Sequence, residues 1–480
     1  MEGYLFFDSL PIQSSMEPIV FNTDNGNCYL YSPAQKSLMP IPVSLYNDII
    51  AKGESDNQIW TNFKNSGYLD SYQDLFEGVV DESTIHNTLR NLSQIVFETT
   101  TICNLRCEYC CYGEGYTTFE SRRHHHGHLK FNTAKIIIDY LCSLFKKENS
   151  SNAPKEPFAI SFYGGEPLMN FNVVKEIVEY AEKLDFTNRQ LFFTMTTNAT
   201  LLAKNAKFLH DHKFKLLISL DGDKPHDAYR KTFDKQGSFE IVMANLQKVK
   251  EIYPDWFSTF RYNAVYTNIS DIKDVVKWFR MKFNKVPNFS PLHTPTKGAK
   301  EYVKIKSMTA RYEIPEDIRF SDDLIAQSPI NKRVMEFCNS LFQNRFYKET
   351  NMFEERRNIP TGTCIPLSKR MFVSYDGKIH PCEKVNRDFP LGEIKLDGTI
   401  TIDPKKIAKG FMNKLSALKP ICQQCYLQLC CTKCILCFNS AKCEDFTSKQ
   451  KFASLLSETV SYIESHPNVI QLLKNSIIIK

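Results

Sequence analysis

No run of eighteen or more apolar residues occurs in this chain of 480, so nothing in it reads as a bilayer-spanning helix. A dense basic run is also missing. The formal charge of +6 is a mild bias that suits an acidic peptide partner and gives no nucleic-acid signature. The start, Met1-Glu2-Gly3-Tyr4, has neither the basic region nor the small-residue cleavage site of a signal peptide, so the expected compartment is the cytoplasm. Charged residues at 24% and hydrophobic ones at 42% are ordinary for a globular protein, and the length suggests about three domains. Sixteen cysteines in such a chain point to metal binding rather than to disulfides. Their distribution agrees: four fall between 103 and 111, seven between 422 and 443, and five elsewhere.

The first group is one ligand short. Cys103, Cys107 and Cys110 supply three thiolates at x3 and x2 spacing, whereas an iron-sulfur cube needs a ligand at each of four irons. One iron is left open for something else to bind. Residues 95–101 are β-branched and read as a strand, which puts the cysteines on the loop leaving it. A zinc knuckle or scattered buried cysteines are the competing readings.

Beyond the cysteines, helical and strand-like segments alternate. Helices are expected at 129–147, 172–184, 201–212, 239–253 and 269–283, and strands at 158–163, 191–196, 215–220, 260–266 and 288–292. Repeated strand-helix units imply an α/β fold with a parallel sheet, here a partial (β/α)6 barrel. In such barrels the chemistry lies at the C-terminal ends of the strands. Cys103 to Cys110 follows the first strand, Gly164-Gly165-Glu166-Pro167 the second, Thr197-Asn198 the third and Ser219-Leu220-Asp221-Gly222 the fourth. Glycines after a strand let backbone approach a ligand, and a carboxylate there can accept from an ammonium group, although Gly-Gly and Asp-Gly also make plain turns.

These motifs resemble the radical S-adenosylmethionine (SAM) superfamily, in which the open iron chelates the amino and carboxylate groups of SAM. The resemblance implies a first 4Fe-4S cluster on Cys103, Cys107 and Cys110. It also implies contacts to SAM from Gly164, Gly165 and Glu166 (amino group), Ser219 and Arg230 (carboxylate and ribose) and Tyr109 (adenine), with Asn198 and Asp221 in the same site.

Near the C-terminus, Cys364, Gly377 and Cys382 precede Cys422, Cys425, Cys430, Cys431, Cys434, Cys437 and Cys443. Cys422, Cys425, Cys431 and Cys434 alone could hold a tetrahedral zinc. The whole order resembles the SPASM domain of radical SAM enzymes, except that Cys434 follows Cys431 by x2 where x3 is the family spacing. Two auxiliary 4Fe-4S clusters are then implied: Cys364, Cys382 and Cys434 on the first, with Cys430 or Cys437 as candidates for its fourth ligand, and Cys422, Cys425, Cys431 and Cys443 on the second. Glu383 stands where sulfatase-maturing relatives carry an acidic residue proposed as the base.

Residues 18–22 and 27–32 read as a hairpin around Thr23-Asp24-Asn25-Gly26, followed by short helices at 42–50 and 56–64, with Tyr68-Leu69 as a candidate wing strand. That order resembles the winged-helix domain with which peptide-modifying radical SAM enzymes recruit a precursor through an exposed sheet edge. The expected layout is 1–92 recognition domain, 93–300 barrel, 301–360 linker and bridging helices, 361–450 SPASM domain and 451–480 C-terminal helix. His124, His125, His126 and His128 read as a substrate-facing loop in preference to a metal site, and Cys111 and Cys142 as buried thiols.

The resemblance implies a peptide maturase that cleaves SAM reductively and forms a thioether or carbon-carbon cross-link on a ribosomal precursor peptide. A low-potential donor such as flavodoxin or ferredoxin would reduce it, and it would have no nucleic-acid or membrane partner. The alternatives are a formylglycine-generating sulfatase maturase and a zinc-stabilised peptide-binding scaffold without catalysis. About twelve irons per chain would distinguish the radical reading from the scaffold.

Overall fold

The computed structural model describes residues 16–35, 37–72, 79–112, 127–146, 156–187, 189–292, 302–341, 363–385, 387, 389–428, 431, 433–437, 443 and 446–478, those at 336–341, 437 and 474–478 in backbone only. The chain divides into two compact units. One comprises residues 1–80, 328–363 and 409–480, the other 81–327 and 364–408. These units cut across the five segments expected from the sequence.

In the first unit, β1 (Ile19–Asn22), β2 (Cys28–Ser32) and β3 (Ser37–Ile41) form an antiparallel sheet in that order. Gly26, at φ +80°, closes the turn between β1 and β2, with its N–H donating to the Thr23 carbonyl at 2.9 Å. The third strand is β3, and not Tyr68-Leu69. Those two residues lie in a turn and pack with Trp60 and Phe63 on a core of Cys28, Leu30, Ile41, Leu45 and Ile49. A run of only five residues with Pro40 near its end carries little strand signal, and pairing along β2 decides it. Helices Val43–Lys52 and Gln58–Asn65 follow.

The other face of this sheet belongs to the end of the chain. Met16, Ile19, Phe21 and Tyr31 share a core with Tyr426, Phe452, Leu456 and Val460, the last three on helix Lys449–Ser465. Polar bonds fix the register: Ser461 Oγ accepts from Asp24 N–H at 2.9 Å, and Glu464 Oε1 accepts from Tyr29 O–H at 2.7 Å and Asn27 Nδ2 at 3.0 Å.

The second unit is built on ten strands. β4 (Gln94–Thr100), β5 (Phe158–Gly164), β6 (Leu191–Thr197), β7 (Lys215–Ser219), β8 (Arg261–Tyr266) and β9 (Asn288–Pro291) run parallel and in sequence order. Helices Phe131–Lys146, Phe171–Ala181, Leu202–Asp211, Phe239–Ile252 and Ile272–Phe283 connect them. Each helix carries its apolar residues at helical spacing, and the strand side chains that alternate outward, Phe97, Ile160, Phe162, Phe193, Met195, Leu216 and Ile218, are buried. The opposite face is polar: Gln94 donates to Ser161, which bonds Thr194.

The sheet then continues in a direction that the sequence did not suggest. β10 (Met371–Val373) pairs parallel to β4, and β11 (Lys378–His380), β12 (Gly392–Ile394) and β13 (Ile400–Ile402) extend it antiparallel. Strands of three residues are too short for a period-2 pattern to stand out. None of the helices is long and apolar enough to cross a membrane among the described residues.

Candidate active site

The loop leaving β4 carries Cys103, Cys107 and Cys110. Backbone bonds pin it: Arg106 N–H donates to Lys231 O at 2.7 Å and Glu108 N–H to Tyr229 O at 2.9 Å. The Arg106 guanidinium folds back onto the carbonyls of Cys103 and Leu105, at 2.6 and 2.8 Å. Donors already point at the sulfurs. Cys103 Sγ accepts from Leu105 N–H at 3.4 Å and Asn198 Nδ2 at 3.6 Å, Cys110 Sγ from Tyr112 N–H at 3.4 Å, and Cys107 Sγ lies 3.9 Å from Arg230 Nη1.

Burial, reinforced by the Glu166 charge, pushes the Cys103 thiol up to about 12. Burial also raises Cys107, against the pull of Arg230. Cys110 is raised first by its hydrogen bond to Cys111, then by burial and by Cys107 and Cys103. Three mutually facing thiols with N–H donors on their sulfurs form a donor set that fits a cluster, which would displace their protons on binding. Among the described residues no three His, Cys, Asp or Glu side chains gather around a single point as a lone metal ion requires. A cube, by contrast, spreads its thiolates over separate irons.

Gly164 and Gly165 seat this loop. A Cβ on Gly164, at φ +133°, would lie 2.2 Å from Thr100 O, and one on Gly165 would lie 2.2 Å from Ile102 O. Their missing side chains therefore make room for protein backbone, a use beyond the ligand approach expected from sequence. Gly165 N–H donates to Thr100 O at 2.8 Å and Glu166 N–H to Ile102 O at 2.9 Å. The Glu166 carboxylate accepts from Asn198 N–H at 2.7 Å, Thr197 Oγ1 at 2.7 Å and Leu168 N–H at 3.1 Å. Burial lifts its pKa to about 7, with those three bonds opposing. Asn198 Nδ2 also reaches Asn104 Oδ1 at 3.0 Å, which ties the end of β6 to the cysteine loop.

Asp221, after β7, accepts from three protein donors. Oδ2 accepts from Arg230 Nε at 2.9 Å and from the Tyr109 hydroxyl, and Oδ1 from Val265 N–H at 2.9 Å. It therefore orients Arg230 and Tyr109 between the ends of β7 and β8. Ser219 is half-buried on β7 beside Asn263 of β8. Sequence reasoning missed the support beneath Arg230. His226 Nδ1 accepts from Asp221 N–H at 3.3 Å, its Nε2 lies 3.0 Å from Ser238 Oγ, and Ser238 Oγ donates to Arg230 O at 2.9 Å. Burial, then Arg230, lowers His226 to about 4, so it is neutral with the proton on Nε2. A His flanked by Asp and Pro in a turn-like segment gave no periodic signal.

Tyr109 packs with Ile305 and Met308 of helix Tyr302–Met308, and its ring meets Tyr229 edge-on at 6.2 Å. Beside this cluster the ends of β8 and β9 and that helix bound a cavity of about 220 Å³, lined by Tyr266, Pro291, Leu292, Lys306, Thr309 and Ala310.

Within the first unit Cys425, Cys431 and Cys443 lie near enough to Cys422 for their charges to act on it. Burial pushes Cys422 up to about 12, and the other three add to it. Cys425 Sγ accepts from Thr447 N–H at 3.4 Å. In the second unit Cys364 and Cys382 lie beside Arg370, whose Nη1 donates to both carboxylate oxygens of Glu383 at 2.7 and 2.9 Å. Cys434 is half-buried. Cys430 and the His124 to His126 stretch lie outside the described residues, Cys437 is described in backbone only, and His128 bridges Thr100 through backbone.

Family models match the chain twice: the radical SAM superfamily over residues 97–279 and an iron-sulfur cluster-binding domain, SPASM, over residues 364–426. A cysteine-type anaerobic sulfatase-maturating enzyme of Clostridium novyi is 24% identical over 358 residues, 72% of this chain and 88% of that enzyme. The radical SAM cyclopropyl synthase TigE of Paramaledivibacter caminithermalis is 25% identical over 151 residues, 31% of each chain. A solved structure of native anSMEcpe with bound AdoMet and Cp18Cys peptide shares the fold, with a TM-score of 0.51 at 20% identity, over 80% of this chain and 99% of that one. The chain carries a radical SAM domain and a SPASM domain.

Proposed function

We propose that this enzyme modifies a ribosomally made peptide, forming a thioether or carbon-carbon cross-link. The observation that carries the reading is the convergence of three cysteines, Glu166, Asn198, Arg230 and Tyr109 on four successive strand ends, together with the neighbourhood of Cys425, Cys431 and Cys443 around Cys422. Relatives named as sulfatase-maturating enzymes and a cyclopropyl synthase support it. The radical SAM domain binds SAM and a 4Fe-4S cluster, and the SPASM domain binds auxiliary iron-sulfur clusters. When bound, SAM and the first cluster would supply one-electron chemistry able to remove hydrogen from a peptide carbon, and the auxiliary clusters would supply electron transfer.

The chain's own residues do the positioning. Cys103, Cys107 and Cys110 would hold the first cluster. Glu166, as a carboxylate, would accept from the SAM ammonium, and Arg230, oriented by Asp221, would donate to its carboxylate. Tyr109, braced by Ile305 and Met308, would lie against the adenine and keep water out. Cys422, Cys425, Cys431 and Cys443 would hold one auxiliary cluster, and Cys364, Cys382 and Cys434 would serve another. Glu383 is the proposed proton acceptor, held by Arg370. The outer edge of β3 would pair with a precursor peptide, and flavodoxin or ferredoxin would reduce the enzyme.

The alignment over 88% of a sulfatase-maturating enzyme keeps formylglycine formation as the second reading. The test is anaerobic incubation with SAM and a low-potential reductant, with mass spectrometry for 5′-deoxyadenosine and a Cys103→Ala, Cys107→Ala, Cys110→Ala control. Nucleoside from the wild type alone is expected. Its absence from iron-loaded protein, with and without short precursor-like peptides and cysteine-containing sulfatase peptides, would refute the reading. Which peptide loses hydrogen separates the two substrates.

A further inference from the structure

A charge stands where a buried strand should carry none. Glu98 lies in β4 amid Ile95, Val96 and Phe97 and is 0% exposed, so it needs partners to be tolerated at all. Among its partners are three from two parts of the second unit. Oε1 accepts from the Tyr112 hydroxyl at 2.7 Å and from Arg387 Nη2, and Oε2 accepts from Tyr375 N–H at 3.2 Å. The Arg387 side chain is only 8% exposed. Tyr375 follows β10 and Arg387 lies five residues past Cys382, so both belong to the auxiliary segment.

Tyr112 closes the other end of the connection. It follows Cys110 and Cys111, and its backbone N–H donates to Cys110 Sγ at 3.4 Å. Arg387 and Glu98 are therefore linked by hydrogen bonds to the Tyr112 hydroxyl, and the same residue's backbone N–H reaches a thiol of the first cysteine group, so Tyr112 itself joins the two ends. Hydrogen bonds to ligand sulfur raise a cluster's reduction potential, because they favour the more negative, reduced form.

We propose that Glu98 is a positioning residue through which the auxiliary segment holds Tyr112 against Cys110 and thereby sets the potential of the first cluster. The inference rests on the reading of Cys103, Cys107 and Cys110 as cluster ligands. Glu98 touches neither SAM nor peptide in this account; it acts through Tyr112. The arrangement ties the ease of SAM reduction to correct seating of the segment that bears Cys382. An enzyme with a misplaced auxiliary segment would then hold a first cluster that is harder to reduce.

The test uses the full holoenzyme with all clusters loaded, poised at a series of potentials and read by electron paramagnetic resonance. The signal that changes on adding SAM identifies the first cluster. Two alterations leave the net charge of the site unchanged: Tyr112→Phe, and the double change Glu98→Gln with Arg387→Gln. Each is expected to move the midpoint of the first cluster to more negative potential, with the auxiliary midpoints unmoved. The shift should correspond to about tenfold in the reduction equilibrium, the ordinary weight of one hydrogen bond to a charged group. Combining all three changes should add little to the larger effect, because the groups act in series.

An unmoved midpoint in Tyr112→Phe overturns the proposal, as does a shift of equal size in every cluster, which would indicate general loosening. Should the double variant fail to retain iron, Tyr112→Phe decides alone. Wild-type protein with full iron and no SAM-sensitive signal would instead sink the cluster assignment, and this proposal with it.

Discussion

Two buried groups in the second unit shift stability with pH in opposite directions, and removing them one at a time tests the site's electrostatics. Glu166, 1% exposed, has its pKa lifted by burial from 4.5 to about 7, and His226, 0% exposed, has its pKa lowered by burial and Arg230 from 6.5 to about 4. Below its raised pKa the folded protein holds a proton on Glu166 that the unfolded chain lacks, so this group stabilises the fold as pH falls toward 4.5. His226 has the opposite sign: below 6.5 the unfolded chain takes a proton that the folded protein refuses, and stability is lost as pH falls through the folded value. Between about pH 7 and about pH 5 each contributes roughly 2 kcal/mol, with opposite signs, so the wild type should be nearly flat. Glu166→Gln should lose roughly 2 kcal/mol on acidification over that range, and His226→Gln should gain about as much. The assay is urea unfolding of cluster-free protein followed by tryptophan fluorescence. Of the three tryptophans, Trp256 and Trp278 lie in this unit, and Trp60→Phe removes the third. Parallel, flat profiles in both variants would refute the reasoning.

Three further outcomes can be checked independently. Cys443→Ala should lower iron by about four per chain, with the SAM-sensitive signal retained, because it strips one auxiliary cluster only; loss of all iron would contradict separate sites. Gly165→Ala places a Cβ 2.2 Å from the Ile102 carbonyl, so the first cluster should fail to assemble even where the auxiliary clusters load, as iron counts and spectra would show. Asp221→Asn frees Arg230 from its charge partner and should weaken SAM binding by about tenfold in equilibrium dialysis, the worth of a charged hydrogen bond; unchanged affinity would mean that Asp221 does not orient Arg230 for SAM.

The barrel was legible in the sequence because its strands are long enough to alternate and its helices carry regular apolar faces. Predicted and observed bounds of the barrel's strands and helices coincide or differ by up to three residues, as at 191–196 against Leu191–Thr197 and 269–283 against Ile272–Phe283. What escaped was structure set by distant pairing. β3 depends on β2, and β10 depends on β4, some 270 residues earlier in the chain. The cysteine spacing carried most of the site, and Asp221 was read as part of it, but not the three protein donors, from Tyr109, Arg230 and Val265, that its carboxylate accepts. Glu98 had a readable signal, a lone charge inside a β-branched run, whose meaning depended on an arginine nearly three hundred residues away. His226 and Ser238 had none.

The pairing of β10 with β4 determines how this enzyme could be dissected or recombined. A chain cut to residues 81–327 would leave the β4 edge, with Ile95, Val96 and Phe97 behind it, bare of its neighbour. An uncovered apolar edge strand recruits other chains. The radical-generating barrel is therefore not a transplantable cassette with an iron-sulfur appendage. The edge that starts the barrel is completed by chain synthesised well over two hundred residues later, so grafting the barrel onto another protein, or exchanging the C-terminal segment between relatives, carries the cost of rebuilding that seam.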